Sequence, residues 1–180
     1  MLRRVTTIAC LAALGIAVVM SPGAAMGWPS SELHAYGSSE TLTVTPSYSI
    51  DGDYYIYEYV LTNNTAHTDI DSFELTLAPT LDMNEITVVS GPDDWWAQVR
   101  PLFHQVDWTN DGGDSITPGG SGTFKIRTKY GPSADPVVVA ACHDGLGWSG
   151  DTYGPVPEPS SVVALMSGLA ALAGFRRRRK

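Results

Sequence analysis

The sequence predicts an all-β protein, an antiparallel β-sandwich of the immunoglobulin-like or jelly-roll-like type. Short stretches of alternating apolar and polar residues recur along the chain, and turn-forming Gly, Pro, Asn and Asp separate them. No amphipathic helical pattern of ten or more residues lies between them. A period of two is typical of strands that are buried on one face and solvated on the other. Several such strands at short spacing favour a sandwich.

The sequence predicts six to eight short strands, and six of them can be given bounds from alternation or from short β-branched and apolar runs. In the second, Tyr57 and Tyr59 share one face, and Glu58 lies on the other. In the fifth, Lys125 and Arg127 alternate with apolar neighbours, so this strand has one solvated face. The predicted strands, in chain order, are 40–46, 54–62, 72–77, 86–90, 124–129 and 137–141.

Residues 1–27 have the three parts of a secretory signal peptide. A start with two arginines precedes an uncharged apolar stretch at 8–20, and small residues follow a Ser-Pro-Gly break. Cleavage by signal peptidase after either Ala25 or Gly27 fits the small-residue rule. An uncleaved N-terminal anchor is the alternative. The sequence therefore predicts an N-terminal signal helix and export through the inner membrane.

The region between the two ends is one acidic domain, predicted as a β-sandwich at 28–148 and a Gly-, Ser- and Pro-rich linker at 149–158. Between residues 28 and 157 the chain has four Lys and Arg side chains against 18 Asp and Glu, a net charge of −14. Nucleic-acid binding depends on cations that neutralise phosphates, so this composition argues against nucleic acid as a partner. An acidic surface suits solubility, cation binding or a matrix bridged by divalent ions.

The tail at 157–180 has three parts. Pro157, Glu158 and Pro159 favour an extended, non-helical start. An apolar stretch follows that we expect to form a transmembrane helix at about 160–175, near the lower length limit for crossing a bilayer. A C-terminal core helix with a basic end is the alternative. The cations that would act as a membrane stop on the cytoplasmic side are Arg176, Arg177, Arg178, Arg179 and Lys180.

This tail closely resembles the PEP-CTERM sorting signal of Gram-negative bacteria, over about the last 25 residues. The resemblance implies processing by exosortase, a membrane-embedded cysteine protease, on the way to the cell surface. It also implies association with exopolysaccharide or biofilm matrix. The exosortase active site belongs to the partner enzyme, so the resemblance implies no catalytic residue in this chain. We therefore expect an inner-membrane anchor in transit, and then the cell surface or extracellular matrix.

A second resemblance concerns the fold class alone. The stretches 57–63 and 116–124 are similar to small immunoglobulin-like adhesive or structural domains of secreted bacterial proteins. In those domains a strand ending in Thr-Asn precedes a long hairpin, and a turn containing Pro-Gly-Gly opens a late strand. Turn chemistry alone explains both stretches, so this resemblance implies nothing about function.

Tryptophans supply the candidate binding site. Flat indole faces stack on sugar rings, while Asp, Asn or Arg side chains bind the ring hydroxyls. Trp95, Trp96 and Trp108 are therefore the candidate glycan contacts, and Asp93 and Asp94 precede the first two. Core packing is the competing interpretation, because neighbours on a strand point to opposite faces and one of Trp95 and Trp96 is then buried.

No motif predicts catalysis or a resident cofactor. Asp107, Asp111 and Asp114 are a calcium candidate near a glycine-rich turn, since Ca²⁺ prefers several oxygen ligands on a flexible loop; a solvated acidic loop is the alternative. Cys142 follows an apolar strand, so we expect a buried, inert thiol. The predicted function is a non-enzymatic, surface-sorted β-sandwich protein. A carbohydrate-binding module and a small secreted hydrolase are the alternatives.

Overall fold

The computed structural model describes residues 25–143 and 146–155, without the side chains of 133–136 and 143. These residues form 11 strands and two single turns of 3-10 helix, at Met83–Glu85 and Pro101–Phe103. The strands are β1 (Met26–Gly27), β2 (Ser31–Ala35), β3 (Thr41–Asp51), β4 (Tyr54–Asn63), β5 (Ser72–Thr76), β6 (Thr87–Ser90), β7 (Trp95–Arg100), β8 (Gln105–Asn110), β9 (Ser121–Thr128), β10 (Pro132–His143) and β11 (Leu146–Pro155).

The strands of the described residues pair antiparallel and form one continuous sheet. Their order is β6-β9-β4-β3-β2-β11-β10-β5-β8-β7, and β1 pairs with β3. The two edge strands, β6 and β7, lie close to each other, so the sheet curls until it is nearly closed. The predicted all-β, antiparallel architecture is confirmed. Its strands belong to one sheet, whereas a sandwich has two sheets packed face to face.

Five strands lie outside the predicted ones: β1, β2, β7, β8 and β11. The predicted linker at 149–158 is a strand as far as Pro155, because β11 pairs with β10 along its length and with β2 on its other side. The last two residues of the predicted signal peptide at 1–27 form β1. The sheet therefore extends beyond both predicted borders of the domain.

The core lies inside the curled sheet and is rich in aromatic rings. Phe73 of β5 stacks on Phe124 of β9 with ring centroids 4.2 Å apart, and Trp108 of β8 meets Phe124 edge-on at 5.3 Å. These contacts join strands from opposite ends of the sheet order, so they hold the curled sheet together. Tyr57 and Tyr59 of β4, which the alternation places on one face, are both fully buried, so this face of β4 is the inward one.

The two buried tyrosines of β4 differ in their hydrogen bonding. The Tyr57 hydroxyl donates to the Tyr130 carbonyl oxygen at 2.9 Å, whereas the Tyr59 hydroxyl has no hydrogen-bond partner among the described residues. Burial raises the pKa of both phenols well above the ordinary value, and neighbouring tyrosines add to the effect on the pKa of Tyr57. Both hydroxyls therefore stay protonated while the protein is folded.

Cys142 lies exposed near the end of β10. The prediction of a buried thiol is therefore wrong. Val139 and Ala141 are buried on the inward face of this strand, and the period of two turns Cys142 outward. An apolar run that precedes a cysteine does not show that the cysteine is buried. Its position in the alternation of inward and outward side chains decides whether the thiol is exposed.

The signals predicted at the two ends of the chain fall outside the described residues. They are the signal helix as far as residue 24, the motif at 157–159, the transmembrane helix at about 160–175 and the basic end at 176–180. Among the residues that the structure describes, no helix has the length and apolar character needed to span a bilayer.

Candidate functional site

The three tryptophans predicted as glycan contacts divide into two core residues and one surface residue. Trp108 is fully buried and Trp95 is 8% exposed, whereas Trp96 is 52% exposed. Trp95 and Trp96 are consecutive on β7 and point to opposite faces, so the predicted burial of one of them is confirmed. Of the three rings, the structure leaves that of Trp96 within reach of a ligand.

The two buried indoles hold the backbone around the edge strands. Trp108 Nε1 donates to the Ser90 carbonyl oxygen at the end of β6, at 3.1 Å. Trp95 Nε1 donates to the Asp114 carbonyl oxygen in the loop after β8, also at 3.1 Å. The Trp108 ring lies so close to Gly91 that a Cβ there would come within 2.6 Å of it. Both rings therefore have a structural role, each with the N–H partner that a buried indole needs.

The outward side chains around Trp96 form a polar surface on β7, β8 and β5, which we call the Trp96 face. Cross-strand pairing places Asp107 between Gln98 and Glu74. Gln105 Nε2 donates to Glu74 Oε1 at 2.7 Å. This face combines one exposed aromatic ring with amide, guanidinium and carboxylate groups, which are the groups that bind sugar hydroxyls. Its members are Trp96, Gln98, Arg100, Gln105, Asp107 and Glu74.

Asp107 is the predicted calcium ligand that lies on this face, and it is buried beneath Arg100. The Arg100 guanidinium is ion-paired with Asp107 Oδ2, while Oδ1 has no hydrogen-bond partner among the described residues. Asp111 and Asp114 lie in the exposed loop that follows β8. Within residues 25–143 and 146–155, no group of three or more His, Cys, Asp or Glu is placed to hold a metal ion. The three aspartates are therefore not brought together as a calcium site.

A cleft of about 480 Å³ lies between the loop before β7 and the loop after β8. Asp93, Asp94 and Asp114 line it, together with glycine, serine and threonine residues. Asp94 has a left-handed backbone with φ 61°, and a Cβ on Gly113 would lie 2.7 Å from the Asp94 Cβ. Close packing of the two loops therefore fixes this uncommon conformation. The acidic lining suits hydrated cations or hydroxyl-rich ligands better than apolar ones.

A cationic surface on β9 was predicted only as a solvated strand face. Lys125 is ion-paired with Glu58 of β4 at 2.6 Å. Arg127 lies instead over the ring of Tyr54, with its guanidinium carbon 3.7 Å from the ring centroid. Alternation showed that these cations share a face, but their partners depend on the register between β9 and β4. That register is a long-range property of the fold.

The end of the chain defines the class of protein, an all-β domain that carries a sorting tail. Residues 155–180 match the family model of the PEP-CTERM protein-sorting motif, which confirms the resemblance of the tail. The match begins at the last residue of β11, so the motif follows the sheet directly. Such a tail implies export, exosortase processing and sorting to the cell surface. A search of the curated proteins and of the solved structures found no match to this chain.

Proposed function

We propose that this protein is a non-enzymatic β-domain that exosortase delivers to the cell surface, where it resides on the cell or in an exopolysaccharide or biofilm matrix. The match of residues 155–180 to the sorting motif carries the proposal. The features of residues 1–27 support export and cleavage by signal peptidase. In transit, the apolar stretch at about 160–175 anchors the chain in the inner membrane, and the cations at 176–180 stay in the cytoplasm.

Intact mass and cell fractionation test this proposal in the native host, with and without its exosortase. In the wild-type host we expect a mass that lacks the residues after about Pro159, and a protein outside the inner membrane. In the strain without exosortase we expect the tail to be intact and the protein to stay in the inner membrane. A tail that is intact in both strains would contradict the proposal and leave the tail as a plain anchor.

Tail variants separate recognition of the motif from general effects on export. Replacing both Pro157 and Pro159 by Ala removes the extended start of the motif, so the wild-type host should retain this variant in the inner membrane. The control is Glu32→Gln, at an exposed glutamate of β2, which should be processed normally. Equal processing of both variants would count against recognition of the Pro-Glu-Pro residues.

A second function, carbohydrate binding, is favoured by the exposure of Trp96. Its indole is 52% exposed and shares an outward face with Gln98 and Arg100. A ring that can stack on a pyranose, beside side chains that bind hydroxyls, suits a glycan contact. On this proposal the body of the protein holds exopolysaccharide through the Trp96 face.

Affinity electrophoresis of the exported protein in gels containing the host's neutral exopolysaccharide tests the second function. We expect Trp96→Ala to weaken binding by about 3- to 10-fold, the range of a single aromatic stacking contact. Tyr36→Ala is the matched control, because Tyr36 is a fully exposed aromatic residue in the turn after β2, five strands from β7 in the sheet order. Unchanged binding by the Trp96 variant, or equal losses in both variants, would contradict it.

A further inference from the structure

Within the part of the acidic body that the structure describes, one cation lacks a carboxylate partner. Between residues 28 and 157 the chain has four Lys and Arg residues. Three of them are ion-paired within the described residues: Arg100 with Asp107, Lys125 with Glu58, and Lys129 with Glu85. Arg127 has no ion pair with any described residue, although acidic side chains outnumber basic ones 18 to four in this region.

The described residues around Arg127 orient its guanidinium without accepting a hydrogen bond from it. Its cross-strand neighbours, Ile56 on β4 and Thr87 on β6, carry no charge. Its guanidinium carbon lies 3.7 Å from the centroid of the Tyr54 ring, and its buried Nε has no hydrogen-bond partner among the described residues. A planar cation stacked on a ring keeps its fork of N–H donors for a planar acceptor such as a carboxylate.

Arg127 is the middle member of a row of cations. The row consists of Lys125, Arg127 and Lys129, which occupy every second position. Consecutive members are therefore about 6.7 Å apart along an extended strand. Glu58 and Glu85 balance the two lysines, and the hydrogen bond that Lys129 donates to Glu85 raises the pKa of Lys129, so this lysine stays charged. The three cations and these two glutamates sum to +1 on a body of −14, and the Asp53 carboxylate also lies near enough to Lys129 to raise its pKa.

We propose that this row, with Tyr54, is a binding surface for an anionic polysaccharide, and that Arg127 binds one of its carboxylates. We call Tyr54, Lys125, Arg127 and Lys129 the cationic face. A uronate-containing chain supplies planar carboxylates that match the free fork of Arg127. Complementary charge steers the polymer to this face, because the rest of the body repels it. The proposal concerns ligand binding and is independent of how the tail is processed.

The same charges disfavour nucleic acid as the occupant. Duplex DNA carries about one charge per 1.7 Å, and its affinity rests on neutralising many phosphates at once. A face with one unpaired cation on a strongly acidic body neutralises few of them. Arg127 and Lys129 also engage the Tyr54 ring, at 3.7 and 5.8 Å from its centroid, so the ring is a poor platform for a nucleobase.

Binding of polygalacturonate to the exported protein, recovered from its host, tests the proposal at low salt. The matched probe is the fully methyl-esterified polymer, which has the same backbone without the carboxylate charges. We expect the esterified polymer to bind at least about 10-fold more weakly, and Arg127→Gln to weaken polygalacturonate binding by a similar factor. Binding should also fall as NaCl is raised, since exposed charges are screened.

Two further variants separate the fork of Arg127 from its charge. Arg127→Lys keeps the charge and loses the planar fork, so its affinity should lie between wild type and Arg127→Gln. Val138→Ala, at a 47% exposed residue of β10, should bind as wild type. If circular dichroism shows that Arg127→Gln is misfolded, Arg127→Lys and the esterified polymer decide the question.

Four results would overturn the proposal. They are no binding of polygalacturonate by the wild-type protein, equal binding of the charged and esterified polymers, wild-type affinity in a folded Arg127→Gln variant, and single-stranded DNA binding as tightly as polygalacturonate at the same salt concentration. The last result would replace the polysaccharide by nucleic acid or by polyanions in general.

Discussion

The Trp96 face and the cationic face each hold one arginine, and the two arginines have different partners. Arg100 lies over the buried carboxylate of Asp107, whereas Arg127 lies over the ring of Tyr54. A carboxylate takes up both the charge and the donors of a guanidinium, while a ring orients the group and leaves the donors unused. Arg100 therefore serves the fold, and Arg127 remains available to a ligand. Because the residue type is the same, the side chain on the neighbouring strand decides the role of each arginine.

The largest expected effect is the difference in stability between a variant of the core and a variant of the Trp96 face that lies over it. Trp108→Ala should lower the free energy of unfolding by about 3–5 kcal/mol, because it leaves a cavity against Phe73 and Phe124. Trp96→Ala should change it by less than about 0.5 kcal/mol, because its ring is on the surface. Urea unfolding of the two variants measures both values. Similar losses would mean that Trp96 also holds the fold together.

The two buried tyrosines on the inward side of β4, beneath the cationic face, should make the protein less stable at alkaline pH. The folded pKa of Tyr57 and of Tyr59 lies above the unfolded pKa of about 10, so their contribution to stability is full below pH 10 and is lost above it. Each phenol should lower the free energy of unfolding by about 1.4 kcal/mol per pH unit in that range. Urea unfolding between about pH 7 and 11 measures the slope.

Tyr59→Phe is the variant that assigns this slope to a residue. It removes one of the two titrating phenols, so the part of the slope due to tyrosine should fall by half. The Tyr59 hydroxyl has no hydrogen-bond partner among the described residues, so removing it should not lower stability at pH 7. Tyr57→Phe loses the bond to Tyr130 and should cost about 1 kcal/mol at pH 7. An unchanged slope in both variants would assign the alkaline transition to other groups.

The two arginines give the direct test of the comparison between the faces. Arg100→Gln leaves the Asp107 carboxylate buried without its cation, and should cost about 1–3 kcal/mol of unfolding free energy. Arg127→Gln removes no ion pair among the described residues, and should cost less than about 1 kcal/mol. Thermal or urea unfolding distinguishes them. If Arg127→Gln is the more destabilising variant, Arg127 is a structural residue and the comparison fails.

The smallest effect concerns the lysine pairs beside Arg127. A double-mutant cycle on Glu58 and Lys125 should give a coupling energy of about 0.2–1 kcal/mol, because both side chains are more than a third exposed. The coupling should fall further as NaCl is raised. A larger value that is insensitive to salt would show that Lys125 is held as firmly as Arg100 and is not available to share a ligand.

The sequence predicts strands that carry their own pattern and misses those that depend on neighbours. β4 and β9 alternate strongly, and β4 was predicted to within one residue, whereas the predicted β9 began three residues late. β11 is rich in Gly, Ser and Asp and resembles a linker, yet β10 and β2 pair with it on both sides. Strand formation in such a segment is a tertiary effect, which local composition does not record.

The candidate sites show the same difference between features with a local sequence pattern and features that depend on neighbouring strands. The sorting tail is a linear motif, so the sequence alone predicted it. Alternation also predicted that Trp95 and Trp96 would point to opposite faces, although it did not say which ring is buried. The pairing of Arg100 with Asp107 and the stacking of Arg127 on Tyr54 depend on cross-strand register. Residue types therefore indicated the chemistry, while the fold decided which groups are free.

The adjacency of β2 and β11 makes the order of events during export important. β2 and β11 are neighbours in the sheet although more than a hundred residues separate them in the chain, and Trp28 stacks on Tyr153 with centroids 5.5 Å apart. Closing such a long loop is slow, and until it closes β2 and β10 have unpaired edges that can associate with other chains. Because β11 immediately precedes the sorting motif, the last of the described strands is exported just before that motif. In an exported chain, the sheet can therefore be completed only once the sorting motif is about to follow.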